Sequence, residues 1–130
     1  MQERIAQELA LLRHRYADVE YRQEGQWVRI GAYPLPAGWN RPVTDVAFQV
    51  PPAYPGTPLY GIYVPVGLTF NGSRPNNYTE PAGTPAPFVG TWGVFSWAHT
   101  EEWRPTADLV AGSNLLNWVI SFADRFREGI

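Results

Sequence analysis

The sequence predicts a single α+β domain, covering residues 1–130, with an N-terminal helix, a four-stranded antiparallel meander, a long irregular segment and a C-terminal helix. Three observations predict it. Apolar residues at helical spacing occupy both ends of the chain, short β-rich runs lie between them, and Gly and Pro punctuate the connections. The length suits one core, and a hydrophobic content of 45% with 15% aromatics supplies ample material to fill it.

The first helix is drawn by Ile5, Leu9, Leu12 and Tyr16, which fall at i, i+4, i+7 and i+11. Glu3, Arg4, Glu8, Arg13 and Arg15 are read onto its other faces, and His14 near its C-terminal end as a surface or capping residue. Four strand-like runs follow: Val19–Arg22, Gln26–Ile30, Val43–Val50 and Leu59–Val64. They are rich in β-branched and aromatic residues and joined by short turns, the pattern of an antiparallel meander. Residues 65–91 hold Gly and Pro throughout, a length of irregular chain that is often functional, with Asn71-Gly72 as a turn. A short apolar patch comes next: Trp92, Val94, Phe95 and Trp97. The last segment reads as helix from about Thr106 to Arg127, on the spacing of Leu115, Val119, Phe122 and Phe126. Thr106 or Ser113 supplies the N-cap, and Gly112 permits a break into a short helix and a longer one. Trp39, in a loop between Gly38 and Asn40, is the tryptophan expected to make surface contacts.

Composition narrows the chemistry. The net charge of −2, with no basic stripe, gives no footing for nucleic acid. No apolar run is long enough to span a bilayer, and the N-terminus alternates charged and apolar residues without a signal-peptide stretch, so a cytoplasmic protein is expected. With no Cys there are no disulfides, thiolate metal sites or Cys nucleophiles. Only His14 and His99 offer imidazoles, so no metal site and no cofactor are expected. All ten basic residues are Arg. Codon bias explains the missing Lys; avoidance of self-modification on amines is the functional alternative.

Two local patterns carry a resemblance. Pro51-Pro52-Ala53-Tyr54-Pro55-Gly56-Thr57-Pro58, between the third and fourth strands, looks like the P-x-x-Y-P-x-x-P turn of ubiquitin-conjugating enzymes. Trp103-Arg104-Pro105 is similar to that family's W-x-P motif, which follows the active-site segment. Together with the element order they make residues 3–128 resemble the UBC fold, in the divergent bacterial branch that accompanies ubiquitin-like proteins and their activating enzymes. The resemblance implies those two partners and acyl transfer to an amine. It also implies that the first helix docks the activating enzyme, which places Arg4, Glu8, Arg13 and Arg15 near that contact.

The departures define the question. The family's catalytic Cys lies a few residues before the Trp of W-x-P, where this chain reads Gly93-Val94-Phe95-Ser96-Trp97-Ala98-His99-Thr100. The family's His-Pro-Asn, whose Asn supports the oxyanion, is missing; Asn71, Asn76 and Asn77 lie in the preceding loop without its neighbours. Ser96 stands about where the nucleophile is expected. A hydroxyl needs an adjacent base, and His99, three residues on, is the candidate. Glu101, Glu102 or Asp108 would orient the imidazole, and an Asn of the 71–77 loop or backbone N–H groups would hold the oxyanion. The product would be an oxyester in place of a thioester. Two other readings stay open: a catalytically inactive adaptor that binds a ubiquitin-like protein, and a β-rich peptide- or sugar-binding domain.

Overall fold

A computed structural model of the protein describes residues 3–98 and 102–130. Helix α1 (Glu3–Arg15) follows the predicted stripe: Ile5, Leu9 and Leu12 are buried, and Tyr16 packs at the edge of the core just beyond it. Arg13, His14 and Arg15 fill the last turn, where cations meet the unpaired carbonyls favourably. The strands are β1 (Val19–Arg22), β2 (Trp27–Pro34), β3 (Val43–Gln49), β4 (Ile62–Pro65), β5 (Tyr78–Thr79) and β6 (Trp92–Phe95). They form one sheet in the order β1-β2-β3-β4-β6-β5, with every neighbouring pair antiparallel.

The sheet therefore has six strands rather than four. The apolar patch supplies β6 beside β4, and the segment expected to be irregular supplies β5 beyond it. β5 is two residues long, too short to draw a period in sequence. Strand boundaries also move. β2 continues to Pro34 through a bulge at which Ala32 takes a left-handed backbone (φ 54°), its N–H donating to Asp45 Oδ1 at 3.2 Å. β4 starts at Ile62 because Gly61 has φ 89°, although Leu59 is buried as its apolar character suggests. Asn71-Gly72 does form a tight turn, with φ of 49° and 80°.

Alternation gives the sheet two apolar faces. Val28, Ile30, Val46, Phe48, Ile62, Val64 and Phe95 face the helices and make the main core. Trp27, Ala47, Tyr63 and Trp92 face the other way and are covered by Ala86 and Phe88 of the β5–β6 connection.

The C-terminal helix, α2 (Leu115–Glu128), starts well after Thr106. Residues 106–113 are irregular with a turn at 109–111, held by Ser113 N–H to Arg104 O and by Asp108 Oδ1 accepting from Val110 N–H. Neither Thr106 nor Ser113 caps the helix. Asn114 does, its side chain accepting from Asn117 N–H while the Asn117 side chain accepts from Asn114 N–H. Leu115, Trp118, Val119, Phe122 and Phe126 are buried against the sheet, each worth about 1.5–3 kcal/mol of apolar burial. Trp39 is core as well, not a surface platform: its indole N–H donates to Phe126 O at 2.9 Å at the end of α2.

Candidate functional site

The two motifs that are separate in sequence meet in space, and Glu8 ties the first of them to the start of α2. Tyr54, in the Pro-Tyr-Pro turn, donates its hydroxyl to Glu8 Oε1 at 2.5 Å. The ring of Trp103 lies 5.8 Å from that of Tyr54, and its indole N–H donates to Pro55 O at 2.8 Å. Glu8 Oε1 also accepts the first N–H of α2, from Leu115, at 2.6 Å. Arg4 completes the frame, with Nε on Glu8 Oε2 at 2.7 Å and Nη1 on Thr106 O at 2.6 Å. Burial, and then the bond to Glu8, push the Tyr54 hydroxyl far above its ordinary pKa, so it stays a donor.

This frame corrects one part of the sequence reading. Glu8 has no exposed surface and cannot meet a partner; it is a structural acceptor. Arg4 is half-buried and tied to it. Arg13 and Arg15 remain exposed on α1 and keep the role the resemblance implies as an expectation.

Ser96 follows β6 directly and is exposed, while its neighbours Phe95 and Trp97 are both buried. Trp97 stacks near Trp118 with ring centroids 5.5 Å apart, and its carbonyl accepts from Gly61 N–H at 2.8 Å. Ser96 is thus held out to solvent between two anchored aromatics. Across the β5–β6 ladder its backbone N–H donates to Asn77 O at 2.7 Å. Asn76 and Asn77 are both exposed, and Asn77 sits in the left-handed region (φ 55°). The ladder fits this closely because Gly93 lets Tyr78 lie over the strand: a Cβ there would come within 2.3 Å of the Tyr78 hydroxyl.

The residues leading into this turn read Arg74-Pro75-Asn76. The turn therefore presents a Pro-Asn dipeptide without the family's His. The dipeptide was visible in sequence; what was not visible is the two-residue strand that carries it to Ser96.

Prokaryotic E2 family E matches the chain over residues 6–120. The chain belongs to this family. No curated protein and no solved structure matches it. The matched span takes in both motifs, the β5–β6 pair and Ser96. The mixed architecture, with a helix at each end and an antiparallel sheet between, is consistent with an E2-like protein.

In this prokaryotic E2 the other candidates separate. Asn71 is built into the Phe70–Ser73 turn, its N–H bonded to Gly38 O at 2.7 Å on the β2–β3 connection rather than on the β5–β6 hairpin. Asp108 closes its own turn, and Glu102 pairs with Arg104 Nη2 at 2.6 Å. His99 and Glu101 lie outside the described residues. The Ser96 N–H, committed to Asn77 O, is not free to serve an oxyanion, which leaves the Asn76 and Asn77 side-chain amides as the exposed donors of that turn. No described helix is long and apolar enough to cross a membrane.

Proposed function

We propose that this E2 receives the C-terminal acyl group of a ubiquitin-like protein from an activating enzyme on Ser96 Oγ and passes it to an amine. The observation that supports this reading is the exposure of Ser96 immediately after β6, beside the Pro-Asn-Asn turn. In the first step the Ser96 oxygen attacks the activated carbonyl, the hydroxyl proton goes to a base, and the bond to the activating enzyme's leaving group breaks. His99, three residues after Ser96, is the base we assign. An oxyester results. In the second step the amine attacks that carbonyl, the C–O bond breaks, and the serine oxygen regains a proton. The Asn76 or Asn77 amide stabilises the negative charge on the carbonyl oxygen in both steps. Oxyesters react with amines more slowly than thioesters, so this donor matters more here than in a Cys enzyme. The Lys-free sequence fits a carrier that holds an activated acyl group without acylating its own side chains.

The test is incubation with a cognate activating enzyme, its ubiquitin-like protein and ATP. The expected product is an adduct that resists thiols, is cleaved by hydroxylamine or base, and disappears in Ser96→Ala. Absence of any adduct, or one that persists in Ser96→Ala, rejects the reading. The sequence without Cys favours a second reading, a non-catalytic adaptor that binds the ubiquitin-like protein. That reading predicts binding unchanged by Ser96→Ala and His99→Ala.

A further inference from the structure

Arg125 lies on the buried face of α2 with 3% of its surface exposed. No carboxylate forms an ion pair with it among the described residues. Nη1 donates to Gly129 O at 2.9 Å, Nη2 donates to Asn76 O at 2.9 Å, and the guanidinium carbon lies 4.6 Å from the centroid of the Phe95 ring. Burial lowers its pKa, opposed by the charge of Glu128. A buried cation without a carboxylate is an expensive way to fill a core position, where Met or Leu would pack without the desolvation penalty.

The three contacts show what the guanidinium does there. The Gly129 carbonyl lies just past the end of its own helix, where a cation is favourable. The Phe95 ring, directly before Ser96, is its platform. The Asn76 carbonyl belongs to the turn whose next residue, Asn77, accepts the Ser96 N–H. The guanidinium thus touches both sides of the β5–β6 pair where it meets Ser96, the Asn76 carbonyl by a hydrogen bond and the Phe95 ring by its face, while its other donor ties it to the helix end.

We propose that Arg125 is a positioning residue: it clamps the Asn76–Asn77 turn against Phe95–Ser96 and so sets the Asn76 amide relative to Ser96 Oγ. The catalytic half of this statement rests on the transfer reading above; the clamp itself does not.

The clamp is tested by amide hydrogen exchange read by NMR in Arg125→Met and Arg125→Lys. In Arg125→Met the Ser96 amide is expected to exchange about tenfold faster relative to the Val119 and Phe122 amides, as a locally opened hydrogen bond requires. Arg125→Lys, with an ammonium that can serve one carbonyl but not the fork, is expected to restore part of the protection. An unchanged ratio of Ser96 to core exchange in Arg125→Met overturns the proposal. If Arg125→Met does not fold, Arg125→Lys alone decides: the ratio must rise by roughly threefold, an intermediate loss for one missing donor, and an unchanged ratio overturns the clamp. In the adduct assay, Arg125→Met should slow adduct formation about tenfold at saturating partner, with the half-saturating concentration unchanged, the signature of lost transition-state positioning. Loss of affinity at an unchanged rate contradicts it. If wild type forms no adduct, the transfer reading fails while the exchange result still judges the clamp.

Discussion

Tyr54→Phe tests the frame that joins the two family motifs. The substitution deletes one oxygen and leaves the ring beside Trp103. The lost bond is short, 2.5 Å, and its acceptor is the carboxylate of a fully buried Glu8. A hydrogen bond to a charged group contributes about 1.5–3 kcal/mol, and its removal leaves Glu8 with only the Leu115 N–H and Arg4 as donors. For a chain of this length, at about 4 °C per kcal/mol, the melting temperature should fall by roughly 6–12 °C. Glu8→Gln is harsher. Its amide NH2 faces Arg4 Nε, donor against donor, and Arg4 Nη2 is already buried without a partner. Breaking that pair should cost about 3–5 kcal/mol. With Gln at position 8 the tyrosine bond becomes a neutral one worth about 1 kcal/mol, so the double mutant should be less destabilised than the sum of the singles by about 0.5–2 kcal/mol. Urea denaturation followed by tryptophan fluorescence measures all three, with an unchanged m-value as the check on two-state behaviour. A Tyr54→Phe loss below about 0.5 kcal/mol, or strict additivity, would refute the idea that Glu8 is the shared acceptor.

Two further predictions concern the β5–β6 region. Gly93→Ala forces a Cβ within 2.3 Å of the Tyr78 hydroxyl and should destabilise by about 1–3 kcal/mol while loosening β5 from β6, seen as faster exchange of the Ser96 amide; a neutral substitution would show that β5 is free to shift. The Gly67 N–H, and then the Tyr78 hydroxyl, lower the pKa of Glu80. Its folded pKa lies below the unfolded value of about 4.3, so its contribution is present above that value and is lost as pH falls through the folded pKa. Wild type should therefore lose more stability than Glu80→Gln between about pH 5 and pH 3, and parallel urea midpoints across that range would contradict the assignment.

Much of the fold was legible because its elements are long enough to show a period. The α1 stripe, β1 and β3 lie where the spacing of apolar residues placed them, β3 ending one residue early. What failed was decided by single residues or by partners far off in sequence. The C-terminal helix was drawn from Thr106, a candidate N-cap, yet Val110 is 81% exposed and Asn114 is where the capping chemistry sits. β5 could not be read locally, since two residues become a strand only by pairing with β6. Ser96 was legible as a position, through the distance to Trp103; its link to Asn77 was not, because that contact crosses the whole β5–β6 connection.

The two charged residues that matter most were readable by a stricter use of periodicity. Glu8 lies three residues after Ile5 and four before Leu12, inside the apolar stripe of α1 rather than opposite it. Arg125 lies three residues after Phe122 and next to Phe126, inside the stripe of α2. A charge at such a position must be desolvated on folding, and it is retained only where the surrounding structure supplies donors or acceptors. At Glu8 those are Arg4, Tyr54 and the first N–H of α2, which lock the Pro-Tyr-Pro turn to the start of that helix. At Arg125 they are carbonyls of the helix end and of the turn beside Ser96. Apart from Arg4 and Gly129, each four residues away, their partners lie far off in sequence, so their full role could not be read from neighbours, but their place on a buried face could. The face a helix assigns to a charge thus points to both the frame residue and the clamp, whereas Arg13, at a like spacing between Leu9 and Tyr16 in the last turn of α1, stays exposed because no described element packs over it.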